Sequence, residues 1–403
     1  MTKQSGTLIG QAGLAGLLAL MLGQSAQGVA FSAFTPALPQ MAQSFNASGH
    51  GMVLAQQAVT IAAFGLIAGS FASGKIIDMF GARMTILVSM LLFAVCGSGG
   101  LFLQNVWILL ATRVVVGFAI ACTTTACINT ISTVFQGNLR SQAIGMSSGF
   151  GSALGLISLL LGGFLAQNFG WREAFIQFPV FGFLALILAL LGVKNTHAEV
   201  AHETDLNTHA GLRLWPYYVL CIIIAAVVFM GSSQLAFLLP TDGVTKATSI
   251  SDVMAMITVM ATIVSFFFGN IERRLGLTGT LVTAFAIITF GLLLLGLVAI
   301  PVAAVVGAMA LGTYLAIAMP FLYHIVSIKA PQEGRAKAIG MVGAFVYVGA
   351  FLNPFIFTPM AELLGLHGTF VATGIFMGLL GLGLLFMGRG IGLTQPMPAV
   401  TKQ

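Results

Sequence analysis

The sequence predicts an all-α membrane protein, with twelve transmembrane helices in two pseudo-symmetric six-helix bundles. Three observations predict it. Only 6% of the 403 residues are charged and 58% are hydrophobic, whereas about a quarter of a soluble domain is charged. Twelve apolar runs each approach the length of about 20 residues that a helix needs to cross a bilayer. The second six runs repeat the first six at a shift of 195 residues.

Composition carries the first point. Few charges cannot give a chain of this length a polar surface, so the solvent around it is mostly lipid. The 49 glycines agree, because close helix packing in membranes favours small residues. The net charge of +6 is spread over short gaps between apolar runs rather than gathered into a patch, so nucleic acid is not an expected partner. Cys96, Cys122, Cys127 and Cys221 all fall within apolar runs without metal-finger spacing and read as small packing residues. The N-terminal apolar stretch after Lys3 has some look of a secretory leader. It continues past Gly28 to about Pro36, and the repeat requires it as a first helix.

The runs lie near 11–36, 51–73, 83–103, 106–132, 142–167, 172–193, 215–240, 250–269, 278–298, 301–327, 336–360 and 368–388. Several nearly touch, and the turns between them are marked by Gly81, Pro301 and Gly365. One set of gaps, with both chain ends, holds Lys3, Lys75, Arg83, Arg140, Lys194, Arg213, Arg273, Arg274, Lys329, Arg335, Lys337, Arg389 and Lys402. The other set holds only Arg172 and Lys246. Positive loops stay in the cytoplasm, so both termini are expected there, which requires an even number of spans. The polar stretch 194–214 divides a first bundle, 1–193, from a second, 215–403. Its His197, His202 and His209 are spaced by five and seven, which matches no single helix face, and a solvated cytoplasmic linker is the expectation over a metal site.

The repeat is read in four places. Arg140-Ser-Gln-Ala-Ile-Gly-Met146 falls on Arg335-Ala-Lys-Ala-Ile-Gly-Met341. Gly74 and Gly81 fall on Gly269 and Gly276, Gly117 on Gly312, and Gly170 with Phe175 on Gly365 with Phe370. The first and seventh spans align at a slightly different shift, Pro39 on Pro240. Such agreement marks a duplication, and two halves of parallel orientation describe a transporter whose site lies at the repeat interface.

Gly74-Lys-Ile-Ile-Asp78-Met-Phe-Gly81-Ala-Arg83 stands between spans two and three. It resembles the cytoplasmic signature of the major facilitator superfamily, with Met79 where a basic residue usually follows the Asp. The resemblance covers essentially the whole chain. It implies the superfamily fold, and a latch between the halves made by Gly74, Asp78, Gly81 and Arg83, with Arg140, Glu333 and Arg335 as partners. The counterpart Gly269-Asn-Ile-Glu272-Arg273-Arg274-Leu-Gly276 is degenerate. Arg113-Val-Val-Val-Gly117 is similar to the pattern of proton-coupled members, with Val116 in place of Gln. Gly162-Gly163 is present in span five, but Ser158-Leu159 stands where antiporters carry Gly-Pro. Span five followed by Gly170-Trp171-Arg172-Glu173-Ala-Phe175 looks like the drug-exporter branch.

An ionisable residue inside a span is a functional candidate, and Arg113 and His324 are the two here; no Asp or Glu lies deep in a span. Arg113 suits a carboxylate by a two-pronged hydrogen bond. Equally, carbonyls and amides such as Gln24 or Gln27 can satisfy it. His324 can carry a proton or serve as an interfacial histidine bonded to a carbonyl or water. Gln24 and Gln27 share a face of span one, where they can bind solute or join helices. Asn129, Gln234, Tyr314, Tyr347 and Asn353 are further solute-binding candidates, and Gln177 is similar. Thr123, Thr124 and Thr125 read as bonded to their own backbone. Met254, Met256 and Met260 admit a soft-metal site but are ordinary packing residues too.

No Gly-x-x-x-x-Gly-Lys-Ser/Thr loop exists, so ATP is not the expected energy source. Nor is there a nucleophilic triad or a carboxylate pair, so no enzyme and no cofactor is expected. The sequence predicts a monomeric secondary transporter of the bacterial inner membrane that works by alternating access. Its partners are a small-molecule solute, the lipid bilayer and protons. Export of a drug-like or metabolite solute leads. A facilitator or proton symporter for an organic anion held by Arg113 is the alternative, and a soft-metal transporter is a remote one. With no deep carboxylate, His324 or Asp252 is left to carry a coupling proton.

Overall fold

The structure, a computed structural model, describes residues 13–45, 50–135, 138–193, 214–330 and 335–388. Positions 138–142, 144, 148, 335–337, 339, 340 and 386–388 are described by backbone alone. All regular structure among the described residues is helical. Among the described residues, nine helices are long and apolar enough to cross a membrane. Three of these, Gly51–Phe102, Ala247–Leu297 and Met341–Leu385, contain a glycine with left-handed backbone. Cutting them at Gly81, Gly276 and Gly365, with φ of 80°, 68° and 71°, leaves twelve segments. Only glycine adopts such φ freely, so each marks a reversal between two antiparallel spans rather than a bend within one.

In chain order the helices are α1 (Leu14–Ser32), α2 (Leu38–Ser44), α3 (Gly51–Thr60), α4 (Ala62–Gly97), α5 (Gly99–Phe102), α6 (Val106–Val134) and α7 (Asn138–Asn168). After a 3₁₀ turn at Glu173–Ile176 come α8 (Gln177–Gly192), α9 (Trp215–Ser233), α10 (Leu235–Thr241), α11 (Ala247–Leu297), α12 (Pro301–Lys329) and α13 (Arg335–Gly388). The first span runs on beyond its expected end near residue 36. A 3₁₀ turn at Thr35–Ala37 bends it, and α2 continues it to Ser44. Pro36 and Pro39 lack the N–H groups a straight helix would need there.

The duplication is visible in the packing. Gly81 and Gly276, 195 residues apart, are both left-handed, and their carbonyls accept from Thr85 Oγ1 and Thr280 Oγ1, each at 2.8 Å. Gly170 and Gly365 share positive φ at the same shift. A Cβ on Gly117 would stand 1.9 Å from the Ala62 carbonyl oxygen, and one on Gly312 would stand 2.2 Å from that of Ile257. The paired residues are again 195 apart, so one close helix crossing was copied with its glycine. The bend after Ser32 recurs at Gln234, in register with Ala33 at the shift that aligns the two prolines.

Each half buries a layer of small and apolar residues, and polar side chains inside mostly return to a carbonyl one turn back. The linker 194–214 lies outside the described residues except for Leu214.

Candidate functional site

Because the halves are separate bundles, the site sought lies where they meet. The contacts joining them gather toward one end, the one whose loops are poor in Lys and Arg. Ala247, the first residue of α11, donates its backbone N–H to Gln167 Oε1 of α7 at 2.8 Å, one of the free donors of a helix start. Beside it a Cβ on Gly163 would meet Ser251 Oγ at 2.3 Å and the Ala247 carbonyl at 2.8 Å. Thr358 Oγ1 donates to Gln56 Oε1 at 2.7 Å between α13 and α3, fully buried. Phe31 meets Phe229 edge-on at 5.6 Å, and Phe64 lies 6.1 Å from Phe351.

Deeper along the bundle, Tyr347 Oη donates to Gln27 Oε1 at 3.2 Å. Both side chains are half-buried, and they join span one to span eleven across the halves. One helical turn away Gln24 Nε2 donates to the Thr124 carbonyl at 3.0 Å, within the first half. So of the two amides expected on one face, one reaches across and one is held by its own bundle. Asn129 has an amide nitrogen without a hydrogen-bond partner among the described residues. Among the described residues, Gln234, at the bend between α9 and α10, is fully buried with neither amide atom partnered, and the buried Tyr314 hydroxyl is also unpartnered. Unpaired polar atoms in a low-dielectric interior cost roughly 1–3 kcal/mol each, so such groups belong where water or a polar ligand can reach in another state. Asn353 differs: Nδ2 donates to the Ala226 carbonyl at 2.8 Å and Oδ1 accepts from Ser233 at 2.9 Å, so its polar capacity is spent on tying α13 to α9.

Of the two readings open for Arg113, the structure shows the one in which carbonyls hold the side chain. Its side chain is 2% exposed and lies wholly within the first half. Nη2 donates to the Cys96 and Gly97 carbonyls at 2.9 and 2.6 Å. Phe178, Phe175 and Phe34 enclose the guanidinium, with centroids 4.7, 5.1 and 5.9 Å away. Carbonyl dipoles and ring faces supply negative potential around the charge, while Nε and Nη1 have no hydrogen-bond partner among the described residues. The guanidinium thus braces spans one, three, four and six and does not open between the halves.

The titratable candidates separate. His324 Nδ1 bonds the Glu272 carboxylate, joining α12 to the reversal at Gly276. Glu272 comes from the degenerate copy of the signature. Asp252 is exposed and lines an open cavity of about 500 Å³ at the Lys/Arg-poor end, with Lys246, Ser249 and Pro301. Met254 and Met256 pack with the hydrophobic core, and Met260 is half-buried. Of the signature residues, Gly81 makes the reversal, Arg83 Nη2 donates to the Leu190 carbonyl at 3.1 Å, and Gly74 and Asp78 lie on the helix before it. Glu333 lies outside the described residues, as do the side chains of Arg140 and Arg335.

Four features escaped the sequence reading: the Gln56–Thr358 bond, the Gln167 cap, the Glu272–His324 pair, and a second pair between His367 and Asp242. Two adjacent amides in an apolar span, Gln56 and Gln57, were a signal that could have been used. The others depend on which helices become neighbours.

Comparisons with known proteins bear on the whole chain. A family model described as the Major Facilitator Superfamily matches residues 20–354. The multi-drug resistance efflux pump PmrA of Streptococcus pneumoniae is 23% identical over 368 residues, which span 86% of this chain and 90% of that protein. The multidrug resistance protein MdtG of Enterobacter lignolyticus is 23% identical over 363 residues, 86% of each chain. Among solved structures, a D-xylose–proton symporter superposes with a TM-score of 0.73 at 15% identity, covering 92% of this chain and 97% of that one. The nucleoside transporter NupG superposes at 0.70 and 14% identity, covering 93% and 99%. At these identities the structural likeness speaks to fold alone.

Proposed function

The chain belongs to the Major Facilitator Superfamily, and from that premise we propose that it exports lipophilic drug-like or metabolite solutes. It is a multi-pass membrane protein and a secondary transporter of small molecules, not an enzyme. Export is favoured by relatives that are efflux pumps over most of their length. The observation that carries the solute class is the enclosure of Arg113. With that charge turned inward, the half-buried polar groups that bridge the halves are the amide of Gln27 and the phenol of Tyr347, both neutral. Such a pair suits a solute recognised by shape, apolar contact and one or two hydrogen bonds, and offers no charge to select an anion.

In this reading the Lys/Arg-rich end faces the cytoplasm, by the positive-inside rule, with both termini there and the inner membrane as the site of action. The protein acts as a monomer. The seam formed by Gly163, Gln167, Ala247 and Ser251 closes the outer side, and the central groups are reached from the cytoplasm. Solute enters against Gln27 and Tyr347, the halves rock, and the outer seam parts. Protons are the coupling ion, with His324 and Asp252 as candidate carriers. Proteoliposomes given lipophilic cations, neutral amphiphiles and organic anions, with and without a pH step, test this. Flux of the first two classes, accelerated by the pH step, is expected. Flux confined to organic anions and lost in Arg113→Gln would overturn the solute class.

A further inference from the structure

We propose that His367 and Asp242 form a proton-binding clasp that holds the outer seam shut when the histidine is charged. The inference rests on the alternating-access reading above and adds a site that neither the solute pathway nor His324 supplies. Asp242 ends the short helix α10, and its side chain is 2% exposed. His367 follows the reversal at Gly365 and is 36% exposed, so protons reach it from the bulk. His367 Nε2 stands 3.0 Å from Asp242 Oδ1, and Nδ1 stands 3.3 Å from the Leu295 carbonyl oxygen.

Both ring nitrogens therefore face oxygen acceptors. A neutral imidazole has one N–H, so it can satisfy one of these and must present a lone pair to the other. The imidazolium can donate to the Leu295 carbonyl and still place its positive charge 3.0 Å from Asp242 Oδ1. Asp242 Oδ1 has no aligned hydrogen bond among the described residues, so the contact with His367 is Coulombic and draws the groups together only while the ring is charged. The Leu295 carbonyl is one of the last of α11, which ends at Leu297, and a cation is favoured at that helix end. A buried carboxylate without a cation is costly, so loss of the proton removes what holds Asp242 in place.

The clasp bears on the seam through α10. That helix packs against α2 and the bend of span one, the outer tip of the first half. Proton uptake by His367 ties the α10 tip to α11 and to the start of span twelve. Release frees it to move from α2. The other ionisable groups on the elements around the pair are Lys246 and Asp252 at the start of α11 and Glu362 before Gly365, and all three are exposed. The near end of α12 and the start of span twelve bring no ionisable side chain besides His367.

Two measurements on the full chain test the clasp, and neither uses a solute, so a wrong solute class leaves them unaffected. The first is a double-mutant cycle in melting temperature with His367→Gln and Asp242→Asn, at about pH 5.5 and about pH 8.5. Coupling at the lower pH that disappears at the higher is expected; coupling absent at both, or equal at both, overturns the site. The second places a cysteine at Ser251, 1% exposed in the seam, in a chain without its four native cysteines, and labels it with a membrane-impermeant thiol reagent from outside. At matched pH, which cancels the reactivity of the thiol itself, the ratio of labelling rates between His367→Gln and the parent should be severalfold at the lower pH. It should fall to one at the higher. A ratio of one throughout overturns the hold of the clasp on the seam.

Discussion

Gly117→Ala and Gly163→Ala add the same methyl group, yet they should differ in kind. At Gly117 the new Cβ would stand 1.9 Å from the Ala62 carbonyl, inside one bundle, where ordinary contact begins near 3.4 Å. Two backbones would have to part by roughly 1.5 Å against close packing. At Gly163 the neighbours belong to the other half: Ser251 Cβ at 2.7 Å and the Ala247 carbonyl at 2.8 Å. The Ser251 hydroxyl can rotate aside, and a shift of roughly 0.6–0.7 Å clears the rest. Overpacking costs about 1–3 kcal/mol, and at Gly163 it falls on the closed seam alone. The ratio of closed to open forms should then drop about 5- to 150-fold. The assay is double electron–electron resonance between labels at Gln43 and Thr241, exposed positions at the tips of α2 and α10. Gly163→Ala should raise the long-distance population with a nearly unchanged melting temperature. Gly117→Ala should lower the melting temperature by several degrees without that shift. Equal melting losses with an unchanged distance distribution in Gly163→Ala would refute the claim that this contact is the separable one.

Three further outcomes follow from the side chains. Arg113→Met should lower thermal stability by about 2–4 kcal/mol, through two lost charged hydrogen bonds and a disrupted aromatic cage, while protein that folds keeps its solute affinity; an affinity loss with intact melting would return Arg113 to the solute path. Tyr347→Phe should weaken solute binding about three- to tenfold, the range of one modest hydrogen bond, with melting unchanged. Asn353→Ala should do the reverse, costing about 1–3 kcal/mol of stability for the contacts to Ala226 and Ser233 and leaving affinity alone in protein that folds.

The two classes of candidate differ in how far the sequence could identify them. Gly81 and Gly365 are legible as turns because a backbone reversal between two apolar runs is local, and glycine is the residue that makes it; Gly276 enters only as the repeat of Gly81. Gly117 and Gly312 were found by the repeat, although their neighbours Ala62 and Ile257 were not. Arg113 was rightly singled out as the buried charge of the spans, but its partners come from spans one, three and six, and no spacing along span four reveals whether it faces a cleft or a cage. His324 reads from sequence either as a proton carrier or as an interfacial histidine bonded to a carbonyl or water, and its partner Glu272 is brought close only by the reversal at Gly276.

By itself the sequence determined that this is a membrane protein of two repeated helical halves, because hydrophobic length, charge bias and glycine reversals are all written along one chain. Only the tertiary structure decided which polar groups are spent and which remain free. Asn353 is consumed inside its own half and Arg113 is held there through Nη2, while Gln27 and Tyr347 meet between the halves. The physical reason is that a polar side chain in a low-dielectric interior takes its role from whatever lies within about 3 Å, and for these side chains that neighbour stands anywhere from 16 to 320 residues away.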